Sequence, residues 1–296
     1  MGKKRKIAIM MTVHKNDEQV NRLINHLSKD FDIFVHIDKR SSLKIIETEN
    51  VFVYKRYKVY WGSFNQIMAT LFLLKQAYNK GYHRYLLISG QDLPIKTNKE
   101  ILDFFDGNDK EYIYGSKMPV AGLSGNGGLD RITKYHPNYF HKGSRNLFIR
   151  FSFRFLKLFF KVATKVNTRQ LDYEFYKGTN WINFTHKCVE KIFEYLEKNP
   201  QYIKRFKWTN CADEIFYHTV LNLLEGLEIE NENLRYVNWT DGPEYPKTLR
   251  VEDYTKIINS NNKLFARKFD ENIDKKIIEM IYKKILDINN SKNYNR

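Results

Sequence analysis

The feature that most constrains the fold is an alternation of short apolar runs with amphipathic stretches in the first third of the sequence. The apolar runs Ile7 to Val13, Phe31 to Ile37 and Tyr85 to Ile88 have the length and composition of buried strands. Between them, Asp17 to Leu27 and Asn65 to Tyr78 carry apolar residues at helical spacing. Strands and helices in this order predict an α/β fold with a parallel sheet, and a ligand site at the carboxyl ends of its strands.

The later part of the sequence changes character after Tyr114, where a glycine-rich loop leads into a basic segment. Regular patterning resumes with a predicted strand from Asn180 to Phe184 and a helix from His186 to Leu196. A second helix is predicted to start near Ala212, and a strand follows from Leu234 to Trp239. Because no internal repeat and no Pro- or Ser-rich linker divides the chain, we expect a single domain over all 296 residues.

The basic segment from Arg131 to Leu171 carries ten positive charges and no acid. The cations that recur there at helical steps of three and four residues are Arg150, Arg154, Lys157, Lys161 and Lys165. Aromatic residues fill the positions between them. Such a helix suits a surface of anionic lipid, where each cation near the headgroups contributes about 1 kcal/mol. The alternative is an internal helix whose cations are only solvated.

The formal net charge of +16 indicates an anionic partner, although nucleic acid, nucleotide phosphates and lipid headgroups all fit this description. Cys188 and Cys211 are too few for a disulfide framework, which favours a reducing compartment. Near the N-terminus the apolar stretch is only Ile7 to Met11, far shorter than the roughly 20 residues that span a bilayer. We therefore expect a cytoplasmic protein held peripherally at the inner face of the cell membrane.

Several sequence motifs occur in the order and with the spacing of a known enzyme family. They are FVHIDKRS (34–41), VYWGSFNQIMAT (59–70), YLLISGQDLPIKTNKEI (85–101), ADE (212–214) and LFARKFD (264–270). From Lys6 to Asp270 the chain resembles the core-2/I-branching β-1,6-N-acetylglucosaminyltransferase family, which also contains the peptide O-xylosyltransferases. The resemblance is to a bacterial member, because the chain lacks the many cysteines and the membrane anchor of the animal enzymes.

The resemblance implies a GT-A-like glycosyltransferase fold with a Rossmann-like nucleotide-binding half. It also implies transfer of sugar from a UDP-sugar with inversion, giving a β linkage, without a cofactor or divalent metal. The parts expected within the single domain are a nucleotide-binding half (6–115), a loop and basic amphipathic insert (116–179), an acceptor-binding and catalytic half (180–270), and a C-terminal helix and tail (271–296).

Glu214 matches the catalytic base of the family. An inverting transfer needs one carboxylate to take the proton from the acceptor hydroxyl, and such general base catalysis contributes typically ~10²- to 10⁴-fold. The alternative is that Glu214 only stabilises a helix, because Asp213 and Glu214 open an apolar helical run and face its macrodipole.

The leaving diphosphate must be neutralised by fixed cations if no metal is present. The resemblance implies Lys268 for this role, with Arg235 as its arginine partner and Arg267 as a neighbour able to substitute. Asp38 matches an acid near the uridine and ribose, where a carboxylate accepts hydroxyl hydrogen bonds. Further candidates for the nucleotide pocket are Val13, His14 and Tyr60.

Asp92 matches the floor of the family's pocket, where it either touches the donor sugar or fixes the turn before Pro94. On the acceptor side Arg131 matches an arginine that binds sugar. Tyr114 stands where the family has an acid, which is a departure from its pattern. Aromatic candidates for stacking on sugar rings are Trp181, Trp208 and Trp239.

The expected function is transfer of a sugar from UDP-GlcNAc, or another UDP-hexose or UDP-xylose, to a hydroxyl of a glycan, with lipid-linked surface polysaccharide as the expected acceptor. Nucleic acid is not an expected partner. One alternative is a non-catalytic basic protein that binds membrane or nucleic acid. Another is a metal-dependent transferase using Asp30 and Asp32, although this pair lies at the beginning of a predicted strand and reads as turn chemistry.

Overall fold

The computed structural model describes residues 7–136, 155, 158, 159, 162, 168–241 and 245–293, with side chains as far as Leu286. Over these residues the centre of the fold is a seven-stranded sheet. Its strands, in spatial order, are β10 (Ile229–Glu230), β6 (Glu111–Tyr112), β9 (Asn183–Thr185), β4 (Arg84–Ser89), β1 (Ile7–Val13), β2 (Asp32–Ile37) and β3 (Val51–Tyr54).

The middle of this sheet is parallel. β1 pairs with both β2 and β4, so that Thr12 lies opposite His36 on one side and Ser89 on the other. β9 runs antiparallel to both of its neighbours, β4 and β6. The carboxyl ends of β1, β2 and β4 therefore meet at one edge, which is where a ligand binds in sheets of this kind.

Two smaller sheets flank the central one in the described residues. The first joins β11 (Arg235–Val237), β12 (Phe265–Arg267) and β5 (Asp92–Pro94) in that order, and it sets Arg267 opposite Asp92. The second is the antiparallel pair β7 (Gly115–Lys117) and β8 (Tyr176–Gly178). In the first sheet β5 follows β4 of the central sheet after two residues, and in the second sheet β7 follows β6 after two residues. Both small sheets therefore continue the chain beyond the edge of the central sheet.

Helices cover both faces of the central sheet. They are α1 (Asp17–Leu27), α2 (Phe64–Tyr78), α3 (Asn98–Phe105), α4 (Ser124–Gly127), α5 (Asp130–Thr133), α6 (His186–Lys198), α7 (Pro200–Arg205), α8 (Asp213–Leu221), α9 (Tyr254–Ile258) and α10 (Lys275–Asn293). A 3₁₀ turn, Val251–Asp253, precedes α9. No helix among the described residues is both long enough and apolar enough to cross a bilayer.

The alternation of side chains along β1 explains the two cores. Ile9 and Met11 point into a core shared with α1 and α10, whereas Ala8 and Met10 point into a core shared with α2, α6 and α8. Successive side chains of a strand face opposite sides of the sheet, so a strand covered on both faces must be apolar at every position. This is why the run from Ile7 to Val13 is continuous rather than alternating.

The predicted α/β class is confirmed, and so are the parallel strands over Phe31 to Ile37 and Tyr85 to Ile88. The sheet is parallel in its middle and mixed overall, because β9 is antiparallel to β4 and β6. The strand predicted from Asn180 begins only at Asn183. The strands β5 and β12 were not anticipated, because three residues are too few to show a strand period.

Candidate active site

The site lies at the edge where the parallel strands end. The backbone N–H of Asp38 donates to Val13 O at 2.9 Å, which ties the ends of β1 and β2 together. Gly90 follows β4, and a Cβ atom added there would lie 2.7 Å from Val20 Cγ2 and 3.2 Å from Val13 Cγ1. A glycine is therefore needed for the chain after β4 to pass this close to β1 and α1.

Asp38 is buried at the end of β2, and protein donors already occupy its carboxylate. Oδ1 accepts from the Arg40 backbone N–H at 2.8 Å and from Nε at 3.0 Å, while Oδ2 accepts from Arg40 Nη2 at 2.7 Å and Val59 N–H at 3.2 Å. Burial opposes ionisation, but the hydrogen bonds from Arg40 outweigh it and lower the pKa of Asp38. The Arg40 guanidinium lies 4.0 Å from the centroid of the Tyr60 ring. In this arrangement Asp38 fixes Arg40 and Tyr60 at the rim of the site.

His14 and Val13 also lie at this rim, at the end of β1. The Ser41 hydroxyl donates to His14 O at 2.8 Å, so the chain after β2 is held against the chain after β1. The His14 side chain is exposed, whereas Val13 is buried in the core. Of these two predicted residues, only His14 has an exposed side chain.

The loop at residues 59–63 joins this rim to the helix that carries Glu214. Gly62 has a φ of +66° and accepts a backbone hydrogen bond from Cys211 at 2.9 Å, two residues before α8 begins. A Cβ atom on Gly62 would lie 3.1 Å from Cys211 Sγ. Trp61 is exposed in the same loop, with its ring centroid 5.8 Å from that of Tyr245. Sequence patterns did not single out this aromatic pair, because its two members are far apart in the chain.

Glu214 lies in the first turn of α8, and two cations share one of its oxygens. Arg131 Nη1 donates to Oε2 at 2.8 Å, and Lys177 Nζ lies 2.9 Å from the same atom. No donor among the described residues bonds to Oε1. Arg131 comes from α5 and Lys177 from β8, so three separate segments converge on this carboxylate. The arrangement leaves one oxygen available to accept a proton.

Asp213, the neighbour of Glu214, is buried and receives a hydrogen bond from Asn180 Nδ2 at 3.1 Å. Burial, followed by the charge of Glu214, raises the pKa of Asp213 to about 7. Two adjacent carboxyl groups thus have different environments, because one is enclosed while the other is paired with cations at the surface. The partners Lys177 and Asn180 carry no local sequence signal, and the sequence did not predict them.

Asp92 is fully buried in a charged cluster beneath the cleft. Ser89 donates to Oδ2 through its backbone N–H at 2.8 Å and through its hydroxyl group. Arg267 Nη1 lies 3.3 Å from Oδ2, and Arg235 Nε lies 3.7 Å from Oδ1. Of the two alternatives for Asp92, this geometry favours the one in which it fixes the local turn.

The two arginines of this cluster differ in access to the cleft. Arg235 has a side chain with 0% exposure and donates at 2.6 Å to both Leu87 O and Asn233 O. Both Nη groups therefore have acceptors inside the protein, whereas the buried Nε has no hydrogen-bond partner among the described residues. The Arg267 side chain retains 15% exposure. Arg267 is thus the more accessible of the two arginines.

Lys268 follows Arg267 at the end of β12 and is half-buried. Burial lowers its pKa, and the positive charges of Arg267 and Lys15 lower it further. In the part of the chain that the structure describes, Lys268 forms no salt bridge, whereas Lys15 is 2.6 Å from Asp270. Among the described residues Lys268 is therefore a cation outside any salt bridge, and it follows Arg267 in the chain.

The predicted aromatic residues take different positions. Trp181 is buried, and the Arg267 guanidinium lies 4.4 Å from its ring, so it contacts a cation and not an open surface. Trp208 is half-buried, with its carbonyl accepting from His136 N–H at 2.8 Å. Tyr114 and Trp239 are exposed. These last two are available for contact with a ligand.

Asp30 and Asp32 lie away from the cleft, at the beginning of β2. Asp30 accepts from Asn98 Nδ2 at 2.8 Å, and Asp32 accepts from the Tyr82 hydroxyl at 2.6 Å. Within residues 7–136, 168–241 and 245–286, no three acidic, histidine or cysteine side chains are grouped as they would be around a metal ion. Asp30 and Asp32 are therefore structural acids in this arrangement.

The five cations predicted to face lipid lie outside the described residues. They are Arg150, Arg154, Lys157, Lys161 and Lys165. The residues of that stretch which the structure describes are all apolar and all exposed, namely Phe155, Leu158, Phe159 and Val162. Their spacing of three, one and three residues is that of one helix face.

The sheet and the charged groups above its parallel strands define an α/β enzyme domain with its site at the strand ends. The chain belongs to the Core-2/I-Branching enzyme family, whose sequence model matches residues 7–259. The family predicted from the sequence motifs is thereby confirmed.

Two curated relatives have the same name, probable β-1,3-galactosyl-O-glycosyl-glycoprotein β-1,6-N-acetylglucosaminyltransferase 7. The chain is 27% identical to the Homo sapiens protein over 152 residues, which cover 47% of this chain and 34% of that protein. It is 26% identical to the Sus scrofa protein over 132 residues, which cover 40% of this chain and 31% of that protein. The match therefore covers 34% or less of the length of these relatives.

Among solved structures, the chain is similar to a glycosyltransferase involved in the glycosylation of the major capsid of PBCV-1. The TM-score is 0.36 at 10% sequence identity, over 88% of this chain and 91% of that one.

Proposed function

We propose that this protein is an inverting glycosyltransferase that moves a sugar from a UDP-sugar to a hydroxyl group of a glycan, without a divalent metal. Membership in the Core-2/I-Branching enzyme family supports the enzyme class. The observation that carries the mechanism is Glu214, whose Oε2 is held by Arg131 and Lys177 while Oε1 is open. Such a carboxylate is held in one orientation and presents a free oxygen that can accept a proton.

In the proposed reaction the acceptor hydroxyl oxygen attacks the anomeric carbon from the face opposite UDP. Its proton passes to Glu214 Oε1 as the new carbon–oxygen bond forms. The bond between the anomeric carbon and the diphosphate breaks, and its electron pair leaves with UDP. One inverted glycosidic bond, UDP and a protonated Glu214 result, and the proton then returns to water.

The leaving diphosphate needs positive charge that does not have to reorganise during the reaction. Lys268 and the exposed edge of Arg267 are the candidates, since Lys268 has no salt bridge among the described residues and Arg267 is braced by Asp92 and Trp181. Arg235 then acts indirectly, by balancing the charge of Asp92. The nucleoside would lie towards His14, Asp38 and Tyr60.

We further propose that the basic insert holds the enzyme at an anionic membrane surface, where a lipid-linked surface polysaccharide is its acceptor. The support is the exposed apolar set Phe155, Leu158, Phe159 and Val162 within a segment rich in cations. Apolar side chains on one helix face, flanked by Lys and Arg, are what an interfacial helix presents to headgroups and acyl chains.

The test of the proposed function is UDP binding, measured by thermal and urea unfolding in EDTA. UDP at a hundredfold excess over its Kd should stabilise the protein by about 2.7 kcal/mol. A screen of UDP-sugars for hydrolysis and for transfer then identifies the donor. Stabilisation by inorganic polyphosphate and not by UDP would instead favour a non-catalytic basic protein, and a requirement for Mn²⁺ would contradict the metal-free mechanism.

A further inference from the structure

The acceptor side of the site carries more positive charge than its own acids balance. Arg131 and Lys177 share the single carboxylate of Glu214, at 2.8 and 2.9 Å from the same oxygen. The neighbouring Asp130 is paired with Lys134, so it does not supply the missing charge. Asp213 is enclosed and accepts from Asn180 Nδ2, and among the described residues it forms no salt bridge with either cation. One positive charge beside Glu214 therefore has no counterion among these groups.

The position of Lys177 is fixed by close packing of its strand. A Cβ atom on Gly178 would lie 1.8 Å from Tyr114 O and 2.6 Å from His218 Nε2. Tyr176 N–H, on the other side of Lys177, donates to Thr219 Oγ1 of α8 at 3.1 Å. β8 is thus packed closely against α8 and hydrogen-bonded to it, and the Lys177 ammonium lies beside Glu214.

His218 is the titratable side chain that packs under β8 in the part of the chain that the structure describes. Its Nε2–H donates to Tyr114 O at 3.1 Å. Burial lowers the pKa of His218 to about 4, so the ring is neutral at neutral pH. Among the described residues, the charged groups that meet at this point are therefore Glu214, Arg131 and Lys177. The two cations are 24% and 18% exposed, so both can be reached from the cleft.

We propose that the acceptor carries an acidic group, a carboxylate or a phosphate, close to the hydroxyl that reacts, and that Lys177 and Arg131 bind this group. This proposal rests on the proposed function and narrows its substrate class. The acid of the acceptor supplies the missing counterion at Lys177. It also draws part of the positive charge away from Glu214 Oε2, which makes the carboxylate a better proton acceptor at the moment when the hydroxyl is in place.

The test uses sugar probes that differ in one charged group. Binding of methyl β-D-glucuronide, methyl β-D-glucoside and glucose 6-phosphate is measured by NMR titration of the UDP-saturated protein. We expect at least one acidic probe to bind about tenfold or more tightly than the neutral glucoside, with an advantage that shrinks as salt is added. Preference for the glucuronide indicates a carboxylate source, and preference for glucose 6-phosphate indicates a phosphate source.

Three variants assign the effect to Lys177. Lys177→Gln should lose the preference for the acidic probe, and Lys177→Arg should keep it. Lys117→Gln is the matched control, because Lys117 lies on the paired strand β7 and is bound to Glu174 at the surface. Equal binding of acidic and neutral probes to the wild type, or an unchanged preference in Lys177→Gln, overturns the proposal. UDP binding is measured in every variant, because its absence from the wild type would count against the proposed function and not against this inference.

Discussion

Asp92 Oδ1 lies 3.7 Å from Arg235 Nε, and the side chains of both residues are completely buried. Burial lowers the pKa of Arg235 to about 10, which still leaves it charged at neutral pH. A charge in the interior is tolerated when its partner remains, and removal of one partner typically costs ~3–5 kcal/mol. The stability of the fold at this point therefore depends on Asp92 and Arg235 both remaining charged.

Asp92→Asn should lower the free energy of unfolding by ~3–5 kcal/mol, because it leaves Arg235 and Arg267 facing a neutral amide. Urea unfolding at neutral pH measures the change. Asp103→Asn is the matched control, since Asp103 forms an exposed pair with Lys99 and should cost less than about 1 kcal/mol. If the two variants were equally stable, Asp92 would not hold the buried arginines in place.

Glu214→Gln should keep UDP-sugar binding and lose transfer by ~10²-fold or more, because an amide retains the shape but accepts no proton. Calorimetry with UDP and a transfer assay measure the two effects separately. Glu194→Gln, at an exposed position of α6, is the control and should resemble the wild type. Transfer by Glu214→Gln within fivefold of the wild type would remove Glu214 from the role of base.

Lys268→Ala should make the free energy of UDP binding about 1.5–3 kcal/mol less favourable, which is the contribution of one hydrogen bond to a charged group, and should lower turnover. The wild type should work in excess EDTA. Lys256→Ala removes an exposed lysine from α9 and serves as control. Loss of activity in EDTA with recovery in Mn²⁺ would require a metal site in place of these cations.

The raised pKa of Asp213 predicts a pH dependence of stability. Its usual pKa of 3.8 rises to about 7 in the fold, so between these values the folded chain retains a proton that the unfolded chain has lost. Stability must then fall as the pH rises through this window. Relative to Asp213→Asn, the free energy of unfolding of the wild type should fall by up to about 1.4 kcal/mol per pH unit between about pH 4 and pH 7. Above about pH 7 it should fall no further.

Urea unfolding of both proteins at about pH 5, 6 and 7 measures this difference, which cancels the contributions of other titrating groups. Asp109→Asn, at an exposed carboxylate, is the control and should give a flatter curve. If the unfolding free energy of the wild type, minus that of Asp213→Asn, rose with pH instead of falling, Asp213 would be ionised in the fold.

Replacement of the five cations of the insert by Gln should release the enzyme from anionic vesicles and leave transfer to a soluble acceptor nearly unchanged. The replaced residues are Arg150, Arg154, Lys157, Lys161 and Lys165. Each cation near the headgroups contributes about 1 kcal/mol, and this attraction weakens as the Debye length falls from ~10 Å at 0.1 M salt to ~3 Å at 1 M. Vesicle co-sedimentation at both salt concentrations measures it.

The matched control for this variant removes the same charge elsewhere on the surface. It replaces the exposed residues Lys29, Lys80, Lys99, Lys198 and Lys204 by Gln. If attachment depends on the insert, the control should sediment with vesicles much more than the insert variant does. Equal sedimentation of the insert variant and the wild type at low salt would show that these cations are only solvated.

The sequence by itself determined the parallel strands β1, β2 and β4, the helices α1 and α2, and the family. The run from Ile7 to Val13 must be apolar on both faces, and the helix from Asp17 to Leu27 must show a helical period, because both properties follow from local geometry. The same motifs located Asp38, Asp92 and Glu214, which the structure brings to the end of the sheet or to the helix beside it.

Only the tertiary structure decided what each of these groups contacts. Arg235 turned inward to Leu87 O and Asn233 O, and Asp38 was already occupied by Arg40. Lys177 met Glu214 through a strand whose close approach requires Gly178. Such contacts depend on how distant segments pack, and a local pattern of polar and apolar residues does not encode the partner of a charge that lies many residues away.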